Sequence, residues 1–218
     1  MAMKLPTTRE EHPPLAIIAH WLHAISMAVL ITTGLYIYKP YYAGAMGINK
    51  LLHICFAFVV LLGALTRVYW AFFGSGSAAL GSRRLIADYR FFGLEKGVRH
   101  KTIETIKYYL FLRSTHPTVL KYNPLQKAMY LFWLSLVGLM AVSGFSMWAP
   151  TQPFFLPLTY LVGGLAAMHE IHQFMMWVFL LTISIHIYLV FVETFQEIPL
   201  MFWWHETKGR RTAEQEES

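Results

Sequence analysis

The chain has 218 residues, of which 56% are hydrophobic and only 14% charged, whereas a soluble domain carries roughly 25% charged residues, so it cannot cover a water-facing surface. Its apolar residues come in unbroken runs, which excludes a lipid-facing β-barrel and leaves helices that cross a bilayer, each needing about 20 apolar residues. The net charge of +6 falls between and beyond those runs, where it reads as topology and makes no case for nucleic acid.

Met1–Pro14 is polar and of mixed charge. It lacks the pattern of a secretory leader, so the apolar run that follows is expected to stay in the membrane. Four spans are expected, at about 15–38, 49–73, 127–149 and 165–195. The first contains His20 and His23, and the second His53 and Arg67. The third is free of ionisable groups from Ala128 to Trp148, and the fourth holds His169, Glu170, His172 and His186.

Between the second and third spans lies a long connection, residues 74–127, with ten Lys and Arg residues from Arg83 to Lys127. The 39–50 turn has only Lys39 and Lys50, and the 149–164 loop has none. Basic residues are retained in the cytoplasm. Both termini and the long connection are therefore expected on the cytoplasmic side of the membrane. Within the connection, Ile103–Leu112 mixes basic and aromatic residues as an interfacial helix does, and is expected to lie on the bilayer surface as a lid. His116-Pro117 and Asn123-Pro124 mark turns, with Asn123 suited to cap the third helix and Pro124 to open it. The tail from about Lys208 is polar and expected to fray. The whole is an all-α integral membrane four-helix bundle, one domain over residues 1–218, with a long cytoplasmic loop between helices 2 and 3.

Cys55 is the single cysteine. It can form no internal disulfide, and without a C-x-x-C-H motif no haem is attached covalently. Cys55 reads as a small residue of the second helix.

Ionisable groups inside a span are costly and face the protein interior, where they usually serve a function. His172 and His186 are 14 residues apart, close to four turns of about 3.6 residues, so they point the same way at depths about 21 Å apart. His169 is out of phase with His186 by roughly 100°. This favours His172 over His169, which stays as the alternative. The first helix runs outward, placing His20 near the cytoplasmic side, and the second runs inward, placing His53 near the outer side. The fourth also runs inward, with His172 outside and His186 inside. Depth pairs His53 with His172 and His20 with His186. Each pair offers two neutral imidazoles, the usual axial set of an electron-transfer haem. Zinc is a poor fit, because the sets lie about 20 Å apart and no Cys or carboxylate completes a tetrahedron. His23 and His169 otherwise read as packing residues or as supports for the ligands.

Several stretches carry a resemblance: AHWLHAISMAVLITTGLYIYKP in the first helix, KLLH and TRVYWAFFG in the second, then IKYYLFLRSTHP and KYNPLQKAMY, and finally HEIHQFMMW and IHIYLVFVE in the fourth. Over roughly residues 13–196 the chain resembles the cytochrome b subunit of membrane-bound nickel–iron uptake hydrogenases, a di-haem cytochrome b family related to the gamma subunits of formate dehydrogenases.

The resemblance implies two haem b groups with His20, His53, His172 and His186 as iron ligands. It also implies a pocket for menaquinone or ubiquinone near the cytoplasmic haem. Carried over from the formate dehydrogenase gamma subunits, the KYN-x-x-QK element assigns Asn123 and Gln126 to that pocket, beside His186. An amide donor suits a quinone carbonyl. The implied partners are the iron–sulfur small subunit and nickel–iron large subunit of a hydrogenase, and a dimer of heterotrimers is compatible with them. In this reading the chain transfers electrons from the periplasmic hydrogenase to quinone and makes no bonds to hydrogen itself. A gamma subunit of formate dehydrogenase or a similar reductase is one alternative. A stand-alone cytochrome b561-type oxidoreductase is another, and it leaves the long 74–127 connection without a purpose.

Overall fold

The computed structural model describes residues 14–77, 85–87, 98–109, 112, 124–193 and 198–203. Its elements in chain order are α1 (Pro14–Tyr38), α2 (Met46–Phe73), the short strands β1 (Ser75–Ser77) and β2 (Leu85–Ala87), then α3 (Val98–Tyr109), α4 (Pro124–Met147), α5 (Gln152–Leu161), α6 (Leu165–Glu193) and α7 (Ile198–Trp203). Helices α1, α2, α4 and α6 are long and apolar enough to cross a membrane, so the protein is a helical, multi-pass membrane protein with one small strand pair between its second and third spans. The two strands form an antiparallel hairpin with Gly76 opposite Ile86.

Long apolar runs become helices here because lipid offers the backbone no other hydrogen-bond partner. The same logic governs side-chain hydroxyls within the spans. Ser26 donates to the Leu22 carbonyl, Ser146 to Val142, and Thr182 to Val178, each turning its proton back onto its own helix. Large apolar side chains such as Leu62, Trp70, Leu139, Phe174 and Leu181 are exposed, as a lipid-facing surface requires.

The chain divides into two compact units. The first comprises Met1–Phe56 and Met176–Ser218. In it α1 ends at Tyr38, ahead of Pro40, since the residue before a proline is pushed out of the helical region. The buried Tyr36 donates its hydroxyl to the Tyr42 carbonyl at 2.7 Å, and the Asn49 amide donates to the Ala45 carbonyl at 2.9 Å. These bonds fix the α1–α2 turn. At the other end of α1, Trp21 Nε1–H donates to the Met201 carbonyl at 2.7 Å, and its ring lies 4.5 Å from that of Phe202. This ties α7 to α1.

The second unit is Ala57–Met175. Arg67 of α2 donates through Nε to the Tyr130 hydroxyl of α4 at 3.1 Å, with its guanidinium 5.0 Å from the Tyr130 ring centre. At the far end of α4, Phe145 lies 6.0 Å from Phe58 and 6.3 Å from Phe155, so aromatic contacts fasten α2 and α5 to α4. Residues 149–164, expected as a loop, contain α5. Proline does not forbid it: Pro153 occupies the first turn, where its missing N–H bonds nothing in any case, and Pro157, inside the helix, removes a single backbone bond. Gly163 and Gly164, at φ of 105° and 96°, make the reversal into α6 in a left-handed conformation costly for any other residue. The helix expected over Ile103–Leu112 is found at Val98–Tyr109, with an ion pair between Glu104 and Lys107 at 3.3 Å.

Candidate functional site

In the first unit, His20 of α1 and His186 of α6 bring their ring centres to 6.4 Å, with planes 53° apart. A metal–imidazole nitrogen bond of about 2.0–2.1 Å, plus roughly 1.1 Å from that nitrogen to the ring centre, separates the centres of two trans imidazoles by about 6.3 Å. Such imidazoles share an axis and turn freely about it, so a 53° angle is compatible. Both side chains are exposed, which allows a large planar ligand to reach them. The ring pair therefore fits bis-histidine ligation of a haem. Trp21, held by α7, meets the His20 ring edge-on at 5.6 Å, and His23 lies one turn further along α1.

His53, on α2 in the same unit, sits against α1. Its Nδ1 is 2.9 Å from the Thr33 hydroxyl, which is itself 2.6 Å from the Val29 carbonyl. A hydroxyl has one proton to donate. Given to the carbonyl, that proton leaves the oxygen to accept from His53 Nδ1–H, the arrangement required of an imidazole that ligates a metal through Nε2 while its other nitrogen donates. Gly34 follows Thr33, and a β-carbon there would stand 3.2 Å from His53 Cε1. Glycine lets the imidazole lie close against the backbone of α1.

In the second unit, His172 of α6 repeats the pattern against α4. Its Nδ1 is 2.7 Å from the Ser143 hydroxyl, which donates to the Leu139 carbonyl at 2.9 Å. Gly144 follows, and a β-carbon there would lie 3.7 Å from His172 Cε1, an ordinary contact. His169, by contrast, is exposed, and its Nδ1–H donates to the Leu165 carbonyl of its own helix at 2.9 Å. Among the described residues no cluster of three or more His, Cys, Asp or Glu side chains is arranged to hold a metal ion.

Of the residues expected at a quinone pocket, Asn123 lies outside the described residues. Gln126 falls in the first turn of α4, where only the backbone is described.

Two contributors escaped the sequence reading, Thr33 and Ser143. A hydroxyl inside a span commonly bonds back to its own helix, so neither stands out by type. A signal lay in their position: each sits in the half of its span that the topology places at the depth of His53 and His172.

The chain matches the family described as "Prokaryotic cytochrome b561" over residues 11–204. It is 29% identical over 190 residues to the "Probable Ni/Fe-hydrogenase B-type cytochrome subunit" of Azotobacter vinelandii, covering 80% of this chain and 76% of that one. It is 30% identical over 193 residues to the "Probable Ni/Fe-hydrogenase 1 B-type cytochrome subunit" of Escherichia coli K12, covering 80% and 78%. A further relative is the "Putative protein-methionine-sulfoxide reductase subunit YedZ1" of Azospira oryzae, 27% identical over 192 residues, covering 82% and 89%.

Proposed function

We propose, given that the chain belongs to the prokaryotic cytochrome b561 family, that it is the b-type cytochrome subunit through which a nickel–iron hydrogenase delivers electrons to membrane quinone. The observation that carries this reading is the His20–His186 ring pair at 6.4 Å, together with the hydrogenase-subunit names of the relatives in Azotobacter vinelandii and Escherichia coli. The single membrane domain holds two haem b groups, one between His20 and His186 and the other between His53 and His172. The second pairing rests on the depth argument from sequence and on the matching support each of its histidines receives.

A b-type haem held by such a histidine pair would supply one-electron transfer. The chain's own residues do the rest. The four histidines fix the two relay positions. Thr33 and Ser143 present two of those histidines in the metal-binding tautomer. The lipid-facing apolar side chains of α1, α2, α4 and α6 hold the relay across an inner membrane, with both termini and the 74–127 connection in the cytoplasm. Asn123 and Gln126, where the third span begins, donate hydrogen bonds to a quinone carbonyl near His186. Protons released by hydrogen oxidation outside are matched by protons consumed at the quinone inside, so electron transfer alone builds a gradient. The catalytic work on hydrogen belongs to the partner's nickel–iron and iron–sulfur subunits.

The test is mild solubilisation and purification under exclusion of air. The chain is expected to bring down the two hydrogenase subunits, and addition of hydrogen is expected to reduce its haem. A preparation that retains haem, brings down a molybdenum reductase or formate dehydrogenase, and is inert to hydrogen would overturn the hydrogenase assignment. The likeness to the Azospira oryzae reductase subunit makes that a specific second reading.

A further inference from the structure

We infer that Thr33 and Ser143 are positioning residues that set the electronic character of His53 and His172 through a hydrogen bond at Nδ1. This deepens the proposed function and rests on its assignment of these two histidines as iron ligands. The support is geometric and occurs twice, on different helices in separate units. An imidazole bound to iron through Nε2 carries its proton on Nδ1, so each hydroxyl is left to give its own proton to a backbone carbonyl, Thr33 to Val29 at 2.6 Å and Ser143 to Leu139 at 2.9 Å. Each oxygen is then an acceptor, 2.9 Å from His53 Nδ1 and 2.7 Å from His172 Nδ1. Each is followed by a glycine against which the imidazole Cε1 rests.

Back-bonding makes the hydroxyl a better acceptor than an unbonded one, because donating a hydrogen bond polarises the oxygen. An acceptor at Nδ1–H moves electron density onto Nε2 and raises the basicity of the ligand. A more basic imidazole favours ferric over ferrous iron. The two hydroxyls therefore act together on the haem between His53 and His172, holding its potential below the value the bare imidazoles would give. Neither hydroxyl touches the iron or a substrate, and neither is a catalytic residue.

The experiment uses the full complex carrying Thr33→Val, Ser143→Ala, or the conservative Thr33→Ser and Ser143→Thr. Haem content is measured first, then each haem's redox titration and the rate of haem transfer to apomyoglobin. In the parent, two haems titrate separately. Thr33→Val and Ser143→Ala are expected to shift one titration, the same one in both variants, to more positive potential. At the parent midpoint of that haem, the ferrous-to-ferric ratio then rises several-fold. Its transfer to apomyoglobin quickens on the order of tenfold, the low end of the usual cost of losing a hydrogen bond to a ligand. The other haem serves as the internal control and does not move. Thr33→Ser and Ser143→Thr keep the hydroxyl and are expected to restore parental behaviour.

If Thr33→Val and Ser143→Ala retain both haems at parental potentials, the inference is wrong. It is equally overturned if Thr33→Ser fails as Thr33→Val does, since shape and not the hydroxyl would then be the cause. A failure of the underlying reading looks different. It shows as a parent with one haem, or as His53→Ala and His172→Ala variants that keep both. Should the two hydroxyl variants shift different haems, the positioning role stands and the pairing of His53 with His172 falls.

Discussion

Gly34 and Gly144 stand beside two histidines in similar settings, yet the space they leave differs. A β-carbon at Gly34 would meet His53 Cε1 at 3.2 Å, and one at Gly144 would meet His172 Cε1 at 3.7 Å. Replacing glycine by alanine inside a helix stabilises it by roughly 0.5–1 kcal/mol. Gly144→Ala is therefore expected to keep full haem content and to hold or slightly raise thermal stability. Gly34→Ala should offset that gain by displacing the His53 ring, and Gly34→Val should lose the haem that His53 holds, as haem-to-protein ratios would show. A variant Gly34→Val with two intact haems would mean that His53 is not a ligand. At this scale the sequence offered the histidines as candidates but not the hydroxyls beside two of them. His172 and His186 announce themselves by phase, and His20 and His53 by depth, because an imidazole in a span is conspicuous. Thr33 and Ser143 do not, because back-bonded hydroxyls are routine in lipid and only a neighbouring helix makes them acceptors.

Among the elements, α5 was the least legible. Three prolines, two glycines and no charge across residues 149–164 suggest a loop, but Pro150 precedes the helix, Pro153 lies in its first turn and Pro157 costs it one backbone bond. The glycines are needed just beyond its end: Gly163 and Gly164 turn the chain at φ of 105° and 96°. Substituting either by alanine is expected to destabilise the protein by about 1–3 kcal/mol, read as a lower midpoint of thermal haem release, with the spectrum of the folded protein unchanged. Helix α7 gives a second test. Trp21→Phe removes the 2.7 Å bond to the Met201 carbonyl while keeping a ring against Phe202. A loss of about 0.5–1.5 kcal/mol follows, and amides of α7 should exchange hydrogen faster while those of α4 do not. Unchanged exchange in α7 would show that ring contact alone holds it. The interfacial helix illustrates a different limit. Its mixture of basic and aromatic residues was readable, but its start was not, because nothing in the residues ahead of Val98 reads as a strong cap.

For the whole molecule the reading was easiest, since unbroken apolar runs admit one physical solution and the structure supplies four long apolar helices. The exit of electrons, like the pairing of His53 with His172, is a proposal drawn from the sequence. Gln126→Leu is expected to leave both haems bound and reducible by hydrogen, yet to slow hydrogen-to-quinone turnover. Removing one amide hydrogen bond of about 0.5–1.5 kcal/mol corresponds to roughly a 2- to 13-fold weaker hold on the quinone. Hydrogen-to-dye turnover in the same membranes should be unaffected. Equal retention of both activities would locate the quinone elsewhere. Asn123 is a poorer probe, because a lost helix cap costs about 1 kcal/mol on its own.

Helix α6 runs without interruption from Leu165 to Glu193 and carries one proposed ligand from each haem. Its thirteen intervening residues, 173–185, thus act as a gauge block: they set both the spacing of the two relay positions and their angular agreement. One alanine inserted there would advance the second histidine by only about 1.5 Å but swing it by about 100°. Substitutions along this stretch can be absorbed by repacking against lipid, whereas any change of length cannot. In this segment of the chain, composition is free to drift and residue count is not.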